Sequence, residues 1–151
     1  MDKRKQYSEV LRKIRSLLEG EEDVIAMMST ITCELKHSFE SFSWVGFYRA
    51  VGTDLLKVGP YQGAHGCIDI PFSKGVCGRC ATERTAQIVK DVAKLPYHIA
   101  CSAETRSEIV VPVFGKNDEL IAVLDIDSNL GGNFDDVDKE CLETICALFK
   151  I

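Results

Sequence analysis

Apolar residues at Tyr7, Val10, Leu11, Ile14, Leu17 and Leu18 return at three- and four-residue steps, the spacing of one helix face. Gly20 is placed to stop that helix, since a glycine accepts the left-handed turn that ends one. Glu21, Glu22 and Asp23 follow, where the positive end of a second helix favours carboxylates, and Val24, Met28, Ile31 and Leu35 mark its apolar face. The period then changes. Phe42 to Tyr48 is aromatic and β-branched and predicts a strand, with Leu55 to Val58 as its hairpin partner and Cys67 to Ile70 as a third short strand. Lys74-Gly75-Val76-Cys77-Gly78 predicts a turn opening a short helix through Thr82, and Gln87-Ile88-Val89 a brief strand. Residues 91–105 show no period and predict a long loop, a kind of segment that is usually functional inside a compact domain. Two apolar strands, Glu108 to Phe114 and Leu120 to Ile126, flank the turn residues Gly115-Lys116-Asn117-Asp118. A last helix is expected from Asp135 or Asp136, with a stripe of Val137, Cys141, Ile145 and Leu148 backed by Leu142 and Phe149.

Terminal helices with antiparallel hairpins between them predict an α+β domain, a sheet with helices packed on it. At 151 residues the chain has room for one domain, and the Gly131-Gly132-Asn133 turn is too short to divide it, so residues 1–151 are expected to form a single unit. Net charge is −5, from 18 basic and 23 acidic residues, and Lys3, Arg4 and Lys5 make the one basic cluster. That is not a nucleic-acid footprint. No apolar run is long enough to cross a bilayer, and the amphipathic N-terminus is not a secretory h-region. A cytosolic protein is expected, in which thiols stay reduced unless they cycle.

Cysteine changes the picture. There are seven, an odd count that speaks against a complete disulfide framework. Cys33, Cys141 and Cys146 fall in helical patterns and are expected to pack as small hydrophobes. Cys67, Cys77 and Cys101 instead sit in distinctive stretches: Gly63-Ala64-His65-Gly66-Cys67-Ile68-Asp69-Ile70-Pro71-Phe72, Lys74-Gly75-Val76-Cys77-Gly78 and Pro96-Tyr97-His98-Ile99-Ala100-Cys101. Several thiols in such a chain point to redox chemistry before structural disulfides. Asp125 and Asp127 share one face of a strand by its two-residue period, and with Glu108 they form a candidate acidic cluster. Carboxylates on an apolar strand are costly to bury unless paired or protonated, so one of them suits a proton donor. A solvated strand end is the alternative, strongest for Asp127. Trp44 and Tyr48, four apart, face one side of their strand as a pocket wall or as plain core.

These segments, together with Trp44-Val45-Gly46-Phe47-Tyr48, Gly59-Pro60-Tyr61-Gln62-Gly63, Ser107-Glu108-Ile109-Val110 and Val123-Leu124-Asp125-Ile126-Asp127-Ser128, occur in order and resemble the free methionine-(R)-sulfoxide reductases, a catalytic branch of the GAF domains. The resemblance runs from about Tyr7 to the C-terminus. It implies a GAF-like antiparallel sheet of about six strands with N- and C-terminal helices, and often a homodimer. It implies reduction of free L-methionine-(R)-sulfoxide, with electrons from thioredoxin and no metal or organic cofactor. It implies Cys101 as nucleophile, Cys67 as resolving thiol and Cys77 as a second or alternative one. Glu108, Asp125 and Asp127 would supply the proton or hold the substrate ammonium. Trp44 and Tyr48 would line the methyl pocket, Tyr61 and Gln62 shape its mouth, and the backbone around Ile99 and Ala100 bind substrate.

His98, three residues before Cys101, would lower the thiol pKa if it lay close as an imidazolium; the sequence favours a surface loop histidine. Two positions depart from the family pattern. Ser102 stands where many relatives carry an acid, and Cys80 makes a Cys77-Gly78-Arg79-Cys80 pair. With Cys67 and His65 that pair fills a zinc set on paper, at the expense of thiols that must cycle. Two rival functions remain. One is a non-catalytic GAF module sensing a small molecule or redox state; such modules serve an output domain, and none is read in these residues. The other is a peroxide-reducing thiol protein, for which Arg106 is the nearest candidate cation.

Overall fold

The computed structural model describes residues 2–98 and 101–151. Two helices come first, α1 (Lys3–Leu17) and α2 (Val24–Ser38). Gly20 takes φ +75° in the turn between them, and Asp23 caps α2 by accepting the Ala26 amide at 2.9 Å. Strands β1 (Trp44–Val51), β2 (Leu55–Gln62) and β3 (Asp69–Pro71) follow, then α3 (Gly75–Glu83), β4 (Gln87–Val89) and a 3₁₀ turn at Val92–Lys94. Strands β5 (Ser107–Phe114) and β6 (Leu120–Ser128) form a hairpin, and α4 (Asp136–Cys146) closes the chain with a 3₁₀ turn at Ala147–Phe149. The strands make one sheet in the order β3-β2-β1-β6-β5-β4, with every neighbouring pair antiparallel. No described helix is long and apolar enough to cross a membrane.

The two-residue strand period sorts the sheet into two faces. Val45 and Phe47 of β1, Ile109, Val111 and Val113 of β5, and Leu124 and Ile126 of β6 point into a core closed by Tyr7, Val10 and Ile14 of α1, Met28, Ile31 and Leu35 of α2, and Leu142 and Ile145 of α4. The alternate residues Trp44, Tyr48, Val110 and Val123 join a second cluster with Val76, Cys77 and Cys80 of α3. The register places Trp44 across from Asp127 and Gly46 across from Asp125, and Glu108 across from Asp127 on the other side.

Four local expectations shift. Strand β1 starts at Trp44, because Phe42 closes a turn back to the Phe39 carbonyl at 3.0 Å. Cys67 precedes β3 instead of lying in it; the segment is tied to β2 by the Val58 amide donating to the Ile68 carbonyl at 2.9 Å. The inward stripe of α4 is Asp138, Leu142 and Ile145, continued by Phe149, while Val137, Cys141 and Leu148 are half-buried. A hydrophobic pattern discards Asp138, which is buried in the α4 capping box. Cys146 is buried as expected, whereas Cys33 and Cys141 are only half-buried.

Candidate functional site

The second face of the sheet opens into a cavity of about 160 Å³. Its scale suits a molecule of amino-acid size, below the roughly 300–1,000 Å³ common for larger ligands. Trp44 and Tyr48 form one wall, with ring centroids 5.7 Å apart and planes at 24°. The Trp44 indole is fixed by Nε1 donating to the Ala64 carbonyl at 2.8 Å. Gly66 allows the close packing: a Cβ there would lie 2.8 Å from Trp44 Cζ2 and 2.9 Å from the Tyr48 hydroxyl. Opposite stands the start of α3, where Gly75 takes φ +68°, a conformation glycine adopts without strain. That turn brings Val76 and Cys77 to the cavity.

Glu108, Asp125 and Asp127 form the floor. Glu108 and Asp125 are buried, and Glu108 Oε1 and Asp125 Oδ1 have no hydrogen-bond partner among the described residues. Burial, then the charges of Asp127 and Glu108, holds the Asp125 carboxyl well above the usual range. Burial and the charge of Glu108 do the same to Asp127. The Cys77 thiol is likewise pushed up, by burial first and then by Asp125 and Glu108. The same surroundings oppose ionisation of these carboxyls and of the Cys77 thiol. The Sγ of Cys77 and carboxylate oxygens of Glu108 and Asp125 all lie within 4.8 Å of one another.

Cys101 reaches the same cavity from the long loop. It is bonded to Cys67 across a Cα–Cα distance of 5.6 Å and a sequence separation of 34. His98 is not the surface histidine favoured by sequence. Its side chain is 11% exposed and its Nε2 sits 3.6 Å from Glu108 Oε1, because the loop folds back over the floor and not out to solvent. Burial also raises the Tyr48 phenol, with the nearby Asp125 charge second.

The structure thus gathers Cys101, Cys77, Glu108, Asp125, Asp127, Trp44 and Tyr48 around one cavity, with Cys67 joined to it through the disulfide. Tyr61 and Gln62 are not among the lining residues. Tyr61 backs Trp44 from outside with centroids 5.2 Å apart, since β2 is the next strand out, and Gln62 pairs with Val45 in the sheet. Ile99 and Ala100 lie outside the described residues. Cys80 is buried in apolar surroundings, off the cavity, so the paper zinc set of Cys77, Cys80, Cys67 and His65 does not converge there. Arg106, the cation named for the peroxide reading, is exposed and absent from the lining. Sequence reasoning missed Ser43, Glu104, Thr105 and Asn129, which also line the cavity. Ser43 and Asn129 were marked only by following the ends of β1 and β6 outward, and Glu104 and Thr105 only by their place in the long loop.

Residues 19–151 match the GAF domain family. The chain is 41% identical to GAF domain-containing protein A of Dictyostelium discoideum, over 97% of this chain and 91% of that one. It is 38% identical to the free methionine-R-sulfoxide reductase of Saccharomyces cerevisiae, over 99% of this chain and 87% of that one. The X-ray structure of the free methionine-R-sulfoxide reductase from Neisseria meningitidis in complex with its substrate superposes with a TM-score of 0.94 at 39% identity, covering 99% of this chain and 89% of that one. With its six-stranded antiparallel sheet between terminal helices, the chain belongs to the GAF domain family and is closely related to the free methionine-R-sulfoxide reductases.

Proposed function

We propose that the protein reduces free L-methionine-(R)-sulfoxide to L-methionine, with thioredoxin as the electron source. The observation that carries this reading is a cavity that joins a redox-paired cysteine, Cys101, to an aromatic wall and a buried acidic floor. The substrate methyl group packs on Trp44 and Tyr48. Its ammonium group is met by a carboxylate of the floor. The Cys101 thiolate attacks the sulfoxide sulfur while a protonated carboxyl of the Glu108–Asp125–Asp127 cluster gives its proton to the oxygen. Methionine leaves and Cys101 is left as the sulfenic acid. The Cys67 thiol condenses with it, releasing water and forming the Cys67–Cys101 disulfide, which stops further oxidation. A thioredoxin dithiol then reduces that disulfide by exchange and is itself oxidised. Cys77 is the alternative resolving thiol, at a disadvantage because its surroundings oppose ionisation.

The test is NADPH consumption coupled through thioredoxin reductase and thioredoxin. Turnover is expected with the free R-epimer, and neither with the S-epimer nor with a peptide-bound sulfoxide. No turnover with any of them, from reduced and folded protein, would overturn the reading in favour of a ligand-binding GAF module.

A further inference from the structure

The Cys77-Gly78-Arg79-Cys80 pair has no part in the proposed cycle beyond Cys77 as a disfavoured resolving thiol. Both thiols are free, and both are buried, Cys77 3% and Cys80 0% exposed. They lie three residues apart in α3, so they share one side of the helix, and both pack in the cluster on the cavity side of the sheet. Cys77 also lines the cavity that Cys101 reaches. We infer that Cys77 and Cys80 form a second redox pair, which takes over the oxidation held in the Cys67–Cys101 disulfide and returns Cys101 to its reduced form. The place of this exchange in a catalytic cycle rests on the reductase reading; the exchange itself does not.

Burial sets its direction. Cys101 is exposed and Cys67 half-buried, so water supports their reduced form as a thiolate. Burial pushes the Cys77 thiol up, ahead of the charges of Asp125 and Glu108, and pushes Cys80 up, ahead of the charge of Cys146. A pair whose reduced form is not stabilised by ionisation is the more reducing one, so the uncharged disulfide settles on the buried pair. The steps balance. In the proposed reaction a floor carboxyl gives its proton to the sulfoxide oxygen and is left ionised. Carboxylate oxygens of Asp125 and Glu108 lie within 4.8 Å of Cys77 Sγ, so that carboxylate takes the Cys77 proton. The Cys77 thiolate attacks Cys101 Sγ, the Cys67–Cys101 bond breaks, and Cys67 leaves as a thiolate. The Cys80 proton passes to Cys67, Cys80 attacks Cys77 Sγ, the Cys77–Cys101 bond breaks, and Cys101 leaves as the thiolate. Two thiols are oxidised and one disulfide is reduced. A disulfide holds Cβ atoms about 3.5–4.5 Å apart, against roughly 5–6 Å for helix neighbours, so the first turn of α3 must tighten by about 1 Å. No side-chain cap at Lys74 holds that turn.

The test uses the full chain carrying the Cys67–Cys101 disulfide with its other thiols reduced, held anaerobically in mild alkali without reductant. The sample is quenched in acid, alkylated and digested at lysine and arginine. Cleavage after Arg79 separates residues 75–79 from residues 80–84, so mass spectrometry reads a Cys77–Cys80 bond as those two peptides linked. Most chains should end with that linked pair and with Cys67 and Cys101 alkylated, whereas Cys80→Ala should keep the Cys67–Cys101 bond. Persistence of Cys67–Cys101 in the parent, a Cys80–Cys146 or Cys77–Cys101 bond in place of the expected one, or loss of Cys67–Cys101 in Cys80→Ala would overturn the inference. The parent alone decides it if Cys80→Ala fails to fold. With excess free R-sulfoxide and no reductant, the reduced parent should release about two methionines per chain and Cys80→Ala about one. One from each overturns the inference. None from either overturns the reductase reading, while the peptide map still decides the exchange.

Discussion

Asp138 and Asp125 are both buried, at 1% and 5% exposure, and the fold treats them in opposite ways. Asp138 is saturated. The Tyr7 hydroxyl donates to its Oδ1 at 2.7 Å, Lys3 Nζ donates to its Oδ2 at 2.7 Å, and the Asp135 amide donates to Oδ2 at 2.8 Å. These partners tie α1 to the start of α4. Asp125 faces a cavity with two other carboxyl groups and an oxygen left open. The first is architecture, since a satisfied buried charge rigidifies what it joins. The second carries the cost of burying a carboxyl beside two others, which raises its pKa. The same division separates the two faces of the sheet. The helix-covered face carries Val, Ile, Leu and Phe, and the α3 face carries the titratable groups.

Cys101→Ser breaks the reactive side completely. No thioredoxin-dependent turnover should be detectable in the NADPH assay, while thermal unfolding of the reduced protein stays close to the parent; full activity would remove Cys101 from its role. Asp125→Asn should move activity and stability in opposite directions. Loss of a positioned acid lowers kcat by about 10²–10⁴. A carboxyl whose folded pKa lies above its unfolded one stabilises the fold fully only below the ordinary carboxylate range. That contribution is lost as pH climbs from that range through the raised value. The asparagine variant should therefore have a higher melting temperature than the parent at pH 7. The gain should shrink as pH falls toward the ordinary carboxylate range. A melting temperature that drops at neutral pH would show that Asp125 is as well satisfied as Asp138.

On the other face, Ile126→Ala removes a fully buried side chain from the helix-covered core. It should cost about 2–5 kcal/mol by denaturant unfolding, with turnover per folded molecule nearly unchanged. Asp138→Ala should cost about 1–3 kcal/mol, because it strands the Tyr7 hydroxyl and removes part of the α4 cap. Activity at a temperature where the variant is folded should match the parent. A selective loss of kcat in either variant would mean the two faces are coupled.

Much of this was legible from residue order. The helical steps of α1 and α2, the β5–β6 hairpin with its Asp118 turn, and the shared face of Asp125 and Asp127 follow from local periodicity, which is short-range and survives without tertiary information. What periodicity could not carry was anything decided by a partner far along the chain. Asp138 reads as a polar position until Tyr7, 131 residues away, is brought to it. His98 reads as a surface residue until β5 places Glu108 beside it. Tyr61 reads as a mouth residue until strand order sets it behind Trp44. The aromatic wall itself was visible as a four-residue spacing, but its choice between core and cavity depended on Gly66, whose missing side chain lets the loop close over both rings.

Cys67 enters β3, one edge strand, while Cys101 belongs to the connection between β4, the other edge, and β5. The bond between them is therefore a strap thrown across the width of a six-stranded sheet. With the strap fastened, the segment before β3 and the segment before β5 are joined covalently. With it released, they are held by packing alone, part of it through α3, which contacts β3, β4, β5 and β6. Each change of oxidation state at two sulfur atoms is thus also a change in how the two margins of the sheet are held together.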